Sequence, residues 1–247
     1  AETFKKKAKK NPARRMTLLL AYCIEKIGPY VRKKIVEIDN DESLWLDIIR
    51  NLTICDSDHL LLMIAEKTRS TPIEVAIACE VRGSEDLIVK MMPKDVDVYE
   101  LESINISPDG RYLIDFHGED PKFDATIAIP NRYDAEWVSG LPGTNDYDDN
   151  LAYWNRLTRT VNGVPLTDSE KQTYFQRLDS ITIEEFITEF ITSLPGPQRT
   201  QFVKCSVKDC DNEIMTIVPV ESFLSQDQLT LKKRIKEKIG KMKKMSR

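Results

Sequence analysis

Cys205 and Cys210, separated by four residues, are the side chains of this sequence whose type and spacing point most directly to chemistry. They lie in FVKCSVKDCDNEIMTIVP, residues 202–219, where apolar residues alternate on both sides of a short polar turn. Zinc ribbons use two knuckles of this kind, because each tight turn brings two thiolates to one tetrahedral ion. The spacing therefore predicts one half of a zinc-binding site.

A second hairpin could supply the other half. Residues 73–91 read as two alternating strands, IEVAIAC and DLIVKM, joined by the turn EVRGSE. This hairpin holds only Cys79, and Arg82 stands where a second thiolate is needed, although a guanidinium cannot bind a cation. Cys23 or Cys55 could substitute only if the fold brings one near. The residues leave two interpretations open, an incomplete zinc site and small buried thiols.

If the metal is absent, apolar packing has to hold the two hairpins together. Five alternating positions are the candidates for this packing: Val75, Ile77, Phe202, Val203 and Ile217.

No other motif predicts catalysis. The sequence has no glycine-rich phosphate loop, no nucleophile elbow and no zinc-protease helix motif. His59 reads as a polar residue at a helix start, and His117 lies in DFHGED, which reads as a solvated acidic turn. The sequence therefore predicts a protein that is not an enzyme and needs no cofactor, with zinc left as an open possibility.

Helical periodicity dominates the two ends of the chain. Predicted helices cover 16–38 with a break at Gly28-Pro29, 41–52, 59–67, 131–141, 148–161, 183–194 and 229–247, and a further helix is predicted to start after Thr167. Further strands are predicted at Tyr112–Phe116 and Thr126–Ile129. The three tryptophans, Trp45, Trp137 and Trp154, all fall on helices where core packing is the usual role.

Several helix starts carry capping signals. The candidate caps are Asp56 or Asp58, Thr167 with Glu170, and Thr182 with Glu185, the last with a hydrophobic staple of Ile181 against Phe186. In the helix of residues 41–52, the apolar face predicted to be buried consists of Leu44, Ile48, Ile49 and Leu52.

The order of these elements predicts an α+β protein. It has a helical N-terminal part, two zinc-ribbon-like β-hairpins with short strands, a helical second half and a basic C-terminal helix. The predicted organisation is an N-terminal arm with helices (1–38), an α+β body (39–228) and a basic amphipathic helix (229–247). No apolar run approaches the length of about 18 residues that a membrane span needs.

Charge is distributed unevenly along the chain. Residues 1–18 carry a net charge of +6 and residues 229–247 carry +8, which leaves −18 on the 210 residues between them. Solvated ends, a protein partner and nucleic acid are all compatible with basic tails of this kind. The C-terminal helix aligns an apolar stripe of Leu231, Ile235, Ile239 and Met242. Such a helix could bind a partner, lie on a membrane or pack on this protein itself, and partner binding is the favoured interpretation.

The chain resembles the baseplate protein family of contractile-tail bacteriophages of the T-even type, which contains baseplate-hub and hub-assembly subunits. Four segments carry the resemblance, each similar in its signals and order to a family unit: residues 52–89, 125–137, 159–197 and 202–224. They are LTICDSDHLLLMIAEKTRSTPIEVAIACEVRGSEDLIV, ATIAIPNRYDAEW, RTVNGVPLTDSEKQTYFQRLDSITIEEFITEFITSLPGP and FVKCSVKDCDNEIMTIVPVESFL. The chain departs from the family pattern at Arg82 and in the four-residue spacing of its second knuckle.

The resemblance implies a structural or assembly role in the tail baseplate, without catalysis. The zinc ligands that carry over are Cys79, Cys205 and Cys210. The implied partners are other baseplate or tail-tube proteins in a multi-subunit assembly, and the implied location is the virion tail, reached through the host cytoplasm. A permanent subunit and an assembly chaperone both remain open. The alternative function is nucleic-acid binding through the basic arms, which the acidic body and the lack of interleaved aromatic residues disfavour.

Overall fold

Local sequence signals determine where many of the helices begin. The computed structural model describes residues 11–39, 42–68, 71–78, 86–100, 105–118, 123–141, 146–198, 200–205, 213–218 and 220–224. The α-helices in these ranges are α1 (Pro12–Cys23), α2 (Arg32–Asp39), α3 (Ser43–Arg50), α4 (Ile54–Thr68), α5 (Arg132–Val138), α6 (Asp146–Leu157), α7 (Asp168–Phe175) and α8 (Ser180–Ser193). None of them is long and apolar enough to cross a membrane.

The strands are short, and the hairpins and the five-stranded sheet that they form are antiparallel. They are β1 (Lys26–Ile27), β2 (Tyr30–Val31), β3 (Ile73–Ala78), β4 (Asp86–Met91), β5 (Val98–Tyr99), β6 (Asn105–Ile106), β7 (Tyr112–Gly118), β8 (Phe123–Ala128), β9 (Thr158–Val161), β10 (Val164–Pro165), β11 (Gly196–Pro197), β12 (Thr200–Lys204) and β13 (Glu213–Ile217). The prediction of a mixed α and β protein is therefore confirmed. The chain forms two compact units, one of Ala1–Ser57 with Glu100–Gly196 and one of Asp58–Tyr99 with Pro197–Arg247.

The first unit is built on a five-stranded sheet with the order β10-β9-β8-β7-β6. One face of this sheet is apolar, and α8 lies against its strand β7. Edge-to-face ring contacts fill the space, with centroids 5.0 Å apart for Phe116 and Phe186, 4.9 Å for Trp154 and Phe186, and 5.0 Å for Trp154 and Phe190. These aromatic side chains form the core that positions the sheet and the helices around it.

Within the second unit, two hairpins are present as the sequence predicts. β3 pairs with β4 over six residue pairs, β12 pairs with β13 over five, and β13 lies against β3. The inward face of the β12–β13 hairpin differs from the prediction, because Phe202 is 69% exposed whereas Gln201 and its cross-strand partner Thr216 are buried. Strand side chains alternate between faces, so burying this polar pair turns Phe202 outward. The Gln201 amide donates to the Gln198 carbonyl at 2.6 Å, which satisfies one of its polar groups.

One prediction about the second half is wrong in detail. Helix α6 ends at Leu157, and residues 158–161 form strand β9 of the sheet, where the sequence predicts continuous helix to Val161. Asn162 and Gly163 have φ values of +50° and +74°, which is the backbone that a two-residue hairpin turn requires. β9 and β10 therefore complete a sheet of which the sequence predicts only two strands.

One of the three predicted helix caps is confirmed, and the other two helices are capped by different residues. The predicted box of Thr167 and Glu170 is confirmed, with the Glu170 carboxylate accepting from the Thr167 amide at 2.8 Å. α4 is capped by Thr53, whose hydroxyl accepts from the Asp56 amide at 3.0 Å, so neither predicted aspartate serves as the cap. The side chain of Asp179 caps α8 one turn earlier than predicted.

Two apolar side chains are placed differently from the prediction. Ile181 is 68% exposed and forms no staple with the buried Phe186, because α8 starts earlier and places Ile181 in its first turn. Leu44 is 47% exposed, whereas α3 buries Ile49 as predicted, together with Trp45. Trp45 and Trp154 are core residues as predicted.

Candidate functional site: an aromatic surface and an arginine cluster

The predicted zinc ligands are not brought together within the described residues. Cys205 follows β12 directly and is buried. Cys79 and Cys210 lie outside the described residues, as does Arg82. Among the residues that the structure describes, no group of three or more His, Cys, Asp or Glu side chains could hold a metal ion. The zinc-ribbon detail of the predicted fold is therefore not confirmed.

The predictions for the C-terminal apolar stripe and for the two replacement cysteines have different outcomes. The partner-binding stripe of Leu231, Ile235, Ile239 and Met242 lies outside the described residues. The cysteines considered as replacement ligands lie in the first unit, where Cys55 is buried in the first turn of α4 and Cys23 is exposed at the end of α1.

The N-terminal elements expose large side chains, one of which contacts a positively charged residue. Tyr22 in the last turn of α1 is 77% exposed, Tyr30 in β2 is 51% exposed and Leu44 in α3 is 47% exposed. The Arg32 guanidinium lies 5.9 Å from the centre of the Tyr22 ring and donates to the Tyr22 carbonyl at 3.3 Å. We call Tyr22, Tyr30, Arg32 and Leu44 the aromatic–arginine surface.

Buried contacts hold the elements that present this surface. The Trp45 indole donates to the Ala21 carbonyl at 3.0 Å and is 1% exposed, so α3 is fixed against α1. Arg32 also forms an ion pair with Glu42, which orients its side chain across the gap between α2 and the start of α3. The surface is thus supported by a rigid interior, and no local sequence pattern marks it.

Helix α5 organises a second polar region in the same unit. Asn131 caps the helix by accepting from the Asp134 amide at 3.1 Å, and the Asp134 carboxylate accepts from the Asn131 amide at 3.0 Å. The Asp134 side chain is 1% exposed, and its two oxygens each accept a 2.6 Å hydrogen bond, one from Arg111 Nη2 and one from Arg156 Nε. A buried carboxylate needs such charged donors, because an unpaired buried charge is strongly disfavoured.

Two more charged residues adjoin this ion triad. Arg159 Nη2 donates to Asp109 at 3.2 Å, and Arg159 Nη1 donates to the Arg156 carbonyl at 3.0 Å. The Ser107 hydroxyl donates to Asp109 and is the main cause that lowers the pKa of Asp109, with the charges of Arg159 and Arg111 adding to it. We call Arg111, Asp134, Arg156, Arg159 and Asp109 the arginine cluster.

One arginine of the cluster also contacts an aromatic ring. The Arg156 guanidinium lies 5.1 Å from the centre of the Trp137 ring. Trp137 is 37% exposed, so the prediction that it belongs to the core is wrong. The reason is that α5 buries its charged residues, Arg132 and Asp134, and turns Trp137 towards Arg156 and solvent.

The opposite side of α5 forms a separate network with α3. Arg50 Nη2 and Nε contact the Glu136 carboxylate at 3.2 and 3.4 Å, and Nη1 contacts Asp47 at 3.1 Å. Burial alone would lower the pKa of Arg50, but its bonds to these two carboxylates outweigh burial and raise it. Burial, with the hydrogen bond from the Tyr133 hydroxyl to Asp47 at 2.8 Å, raises the pKa of Tyr133.

His117 lies on the polar face of the sheet. Its Nδ1 is 2.9 Å from an Asp124 oxygen across strands β7 and β8, and this hydrogen bond raises the pKa of His117. On the same face the Asp115 carboxylate accepts from the Thr126 hydroxyl at 2.8 Å. The predicted exposure of His117 is confirmed, at 75%, but the predicted turn is wrong at this residue because His117 is paired within strand β7.

No family model, curated protein or solved structure matches this chain. The resemblance to the baseplate family stays a prediction. Sequence reasoning missed both the aromatic–arginine surface, whose Arg32 contacts join residues ten apart, and the arginine cluster, whose side-chain contacts join residues 22 to 50 apart.

Proposed function

We propose that this protein acts through protein–protein contacts, as a subunit or assembly factor of a multi-subunit complex. The observation that carries the proposal is the aromatic–arginine surface, where Tyr22 is 77% exposed and in contact with Arg32. Tyrosine and arginine are enriched among the residues that dominate binding energy at protein interfaces. They offer large contact areas together with polar groups that can bond a partner.

The support for this surface makes it suited to binding. Arg32 is already oriented by Glu42 and by the Tyr22 carbonyl, so less side-chain entropy is lost when a partner binds. Truncation of a central tyrosine at an interface costs about 2 kcal/mol or more. We therefore assign Tyr22 and Tyr30 as anchors, with Leu44 as a further exposed apolar residue.

The complex that we propose is the baseplate of a contractile phage tail. The support for this step is the resemblance of four sequence segments, together with the basic segments 1–18 and 229–247 that could reach neighbouring subunits. The partners would be other baseplate or tail-tube proteins, met in the host cytoplasm during assembly. In this proposal the protein performs no catalysis.

Tail assembly with variant proteins tests the proposal. The double variant Tyr22→Ala/Tyr30→Ala is expected to fold but to be depleted from assembled tails at least tenfold, measured by quantitative mass spectrometry of purified particles and of assembly intermediates. Tyr99→Ala is the matched control, because Tyr99 is a similarly exposed tyrosine (58%) of the second unit. Equal urea midpoints for all three proteins show that folding is intact.

Two outcomes would refute parts of the proposal. Normal incorporation of the double variant removes the aromatic–arginine surface as a contact. Absence of the wild-type protein from both mature tails and assembly intermediates removes the tail assignment itself. Presence in intermediates alone identifies an assembly chaperone, and presence in mature tails identifies a permanent subunit.

A further inference from the structure

The arginine cluster has more positive than negative charge. Three guanidinium groups, of Arg111, Arg156 and Arg159, meet two carboxylates, of Asp134 and Asp109. The cluster therefore carries a net charge of +1, in a chain whose net charge is −4. A cationic group of this kind on an acidic protein attracts anions locally.

Arg156 is the most exposed arginine of the cluster, at 42% against 19% for Arg111 and 28% for Arg159. Its Nε is occupied by Asp134 at 2.6 Å, while its two Nη nitrogens make no hydrogen bond with any residue that the structure describes. The side chain is 42% exposed, and its guanidinium lies over the Trp137 ring, 5.1 Å from the ring centre. A two-donor edge thus belongs to a partly exposed side chain that Asp134 holds through Nε.

From this geometry we infer that the outer edge of Arg156, between the Trp137 ring and the neighbouring arginines, is a binding site for a carboxylate group of another molecule. The two Nη donors match the two oxygens of a carboxylate, which is the bidentate arrangement that arginine prefers. Asp134 holds the guanidinium from behind, so the ligand meets a donor pair that needs no reorientation.

The charge of the cluster favours a carboxylate over other ligands. A single negative charge neutralises the net +1, whereas a phosphate dianion would leave an excess negative charge beside the carboxylates of Asp109 and Asp134. A metal cation is repelled by the three arginines. The ligand could be an acidic side chain or the carboxyl terminus of a peptide, because both present the same group.

Binding can be measured on the full-length protein by NMR. The reporters are the side-chain Nε–Hε signal of Arg156 and the indole N–H signal of Trp137, assigned by loss in Arg156→Lys and Trp137→Phe. Sodium acetate is titrated against sodium chloride at equal ionic strength, and acetate is expected to shift both signals saturably while chloride does not. Two short peptides then separate the sources, one blocked at both ends with a single Asp and one neutral with a free carboxyl terminus.

Two variants test the assignment in opposite directions. Arg156→Lys keeps the positive charge but removes the two-donor edge, so acetate affinity, followed on the Trp137 signal, is expected to fall at least fivefold. Asp109→Asn removes a negative charge and frees Arg159. The affinity for acetate is therefore expected to rise about two- to fourfold, which is the size of effect expected when one nearby surface charge is removed. Asp109 is half-exposed, which makes this substitution compatible with folding.

Three results would overturn the inference. Equal shifts with acetate and chloride mean that only ionic strength acts. Tighter binding of inorganic phosphate than of acetate, at matched ionic strength, means that the site is not selective for a carboxylate. An unchanged affinity in Asp109→Asn, or an unchanged affinity in Arg156→Lys, means that the cluster is not the site.

Discussion

Substitution of Asp134 by asparagine removes the negative charge from the centre of the arginine cluster. The Asp134 side chain is 1% exposed, whereas its partners Arg111 and Arg156 are 19% and 42% exposed. Removing one member of a fully buried ion pair costs about 3–5 kcal/mol, and removing one from an exposed pair costs about 0–1 kcal/mol. Because the carboxylate is fully buried but its partners are partly hydrated, we expect a loss of about 3 kcal/mol in the free energy of unfolding.

Asp134→Asn removes the negative charge of this side chain without removing its role in the helix cap. Asparagine keeps a carbonyl oxygen that can accept the 3.0 Å bond from the Asn131 amide, so the cap of α5 is preserved. Asp109→Asn is the matched control, since Asp109 also binds one arginine, Arg159 at 3.2 Å, but its side chain is 56% exposed. The control is expected to change stability by no more than about 0.5 kcal/mol.

Equilibrium unfolding in urea measures both variants, followed by far-ultraviolet circular dichroism. The slope against urea concentration has to be unchanged for the free energies to be compared, because a changed slope reports a different unfolded or native state. A loss below about 1 kcal/mol in Asp134→Asn, or a loss equal to that of Asp109→Asn, would refute the reasoning that burial decides the strength of these ion pairs.

Three further outcomes follow from single contacts. The raised pKa of His117 adds stability that is fully present below the unfolded-state pKa and is lost as pH rises through the folded-state pKa. An NMR titration of His117 is expected to show a midpoint above the ordinary value for histidine. In Asp124→Asn this midpoint is expected to fall back towards the ordinary value. Thr167→Ala removes a confirmed cap and is expected to cost about 1 kcal/mol in urea unfolding, and a neutral result would show that the box contributes nothing. Gly196→Ala is expected to destabilise by more than about 1 kcal/mol, because φ is +91° and the added Cβ would lie 3.0 Å from a backbone oxygen in the first turn of α4. Gly163→Ala, with φ of +74° and open space around it, measures the backbone strain alone, so equal losses would contradict the proposed clash.

Elements with a complete local signal were predictable from sequence. The box of Thr167 and Glu170 needs only residues three apart, and it forms as expected. The Asn162–Gly163 turn between β9 and β10 carries an equally local signal, but the helical pattern before it extends to Val161 in the sequence and conceals the turn. A turn dipeptide after an apparent helix end is the sign that would have located this hairpin.

The parts that could not be predicted depend on residues distant in sequence. Arg111, Asp134 and Arg156 meet across intervals of 22 and 23 residues, and no local pattern states that two arginines share one buried carboxylate. The inward placement of Gln201 and Thr216 opposes their polarity, so a rule based on apolar alternation selects the wrong face. Such placements are decided by tertiary partners, which override local preference.

Helix α5 connects the arginine cluster to the elements that present the aromatic–arginine surface. Through Arg132 it bonds the Thr17 hydroxyl of α1 at 3.3 Å, and through Glu136 it bonds Arg50 of α3 at 3.2 Å. Loosening α5 by Asp134→Asn should therefore weaken the support of Tyr22 as well as the cluster. A loss of tail incorporation in that variant would not assign Asp134 to a partner contact, whereas a loss in Tyr22→Ala/Tyr30→Ala at unchanged stability would assign the surface itself.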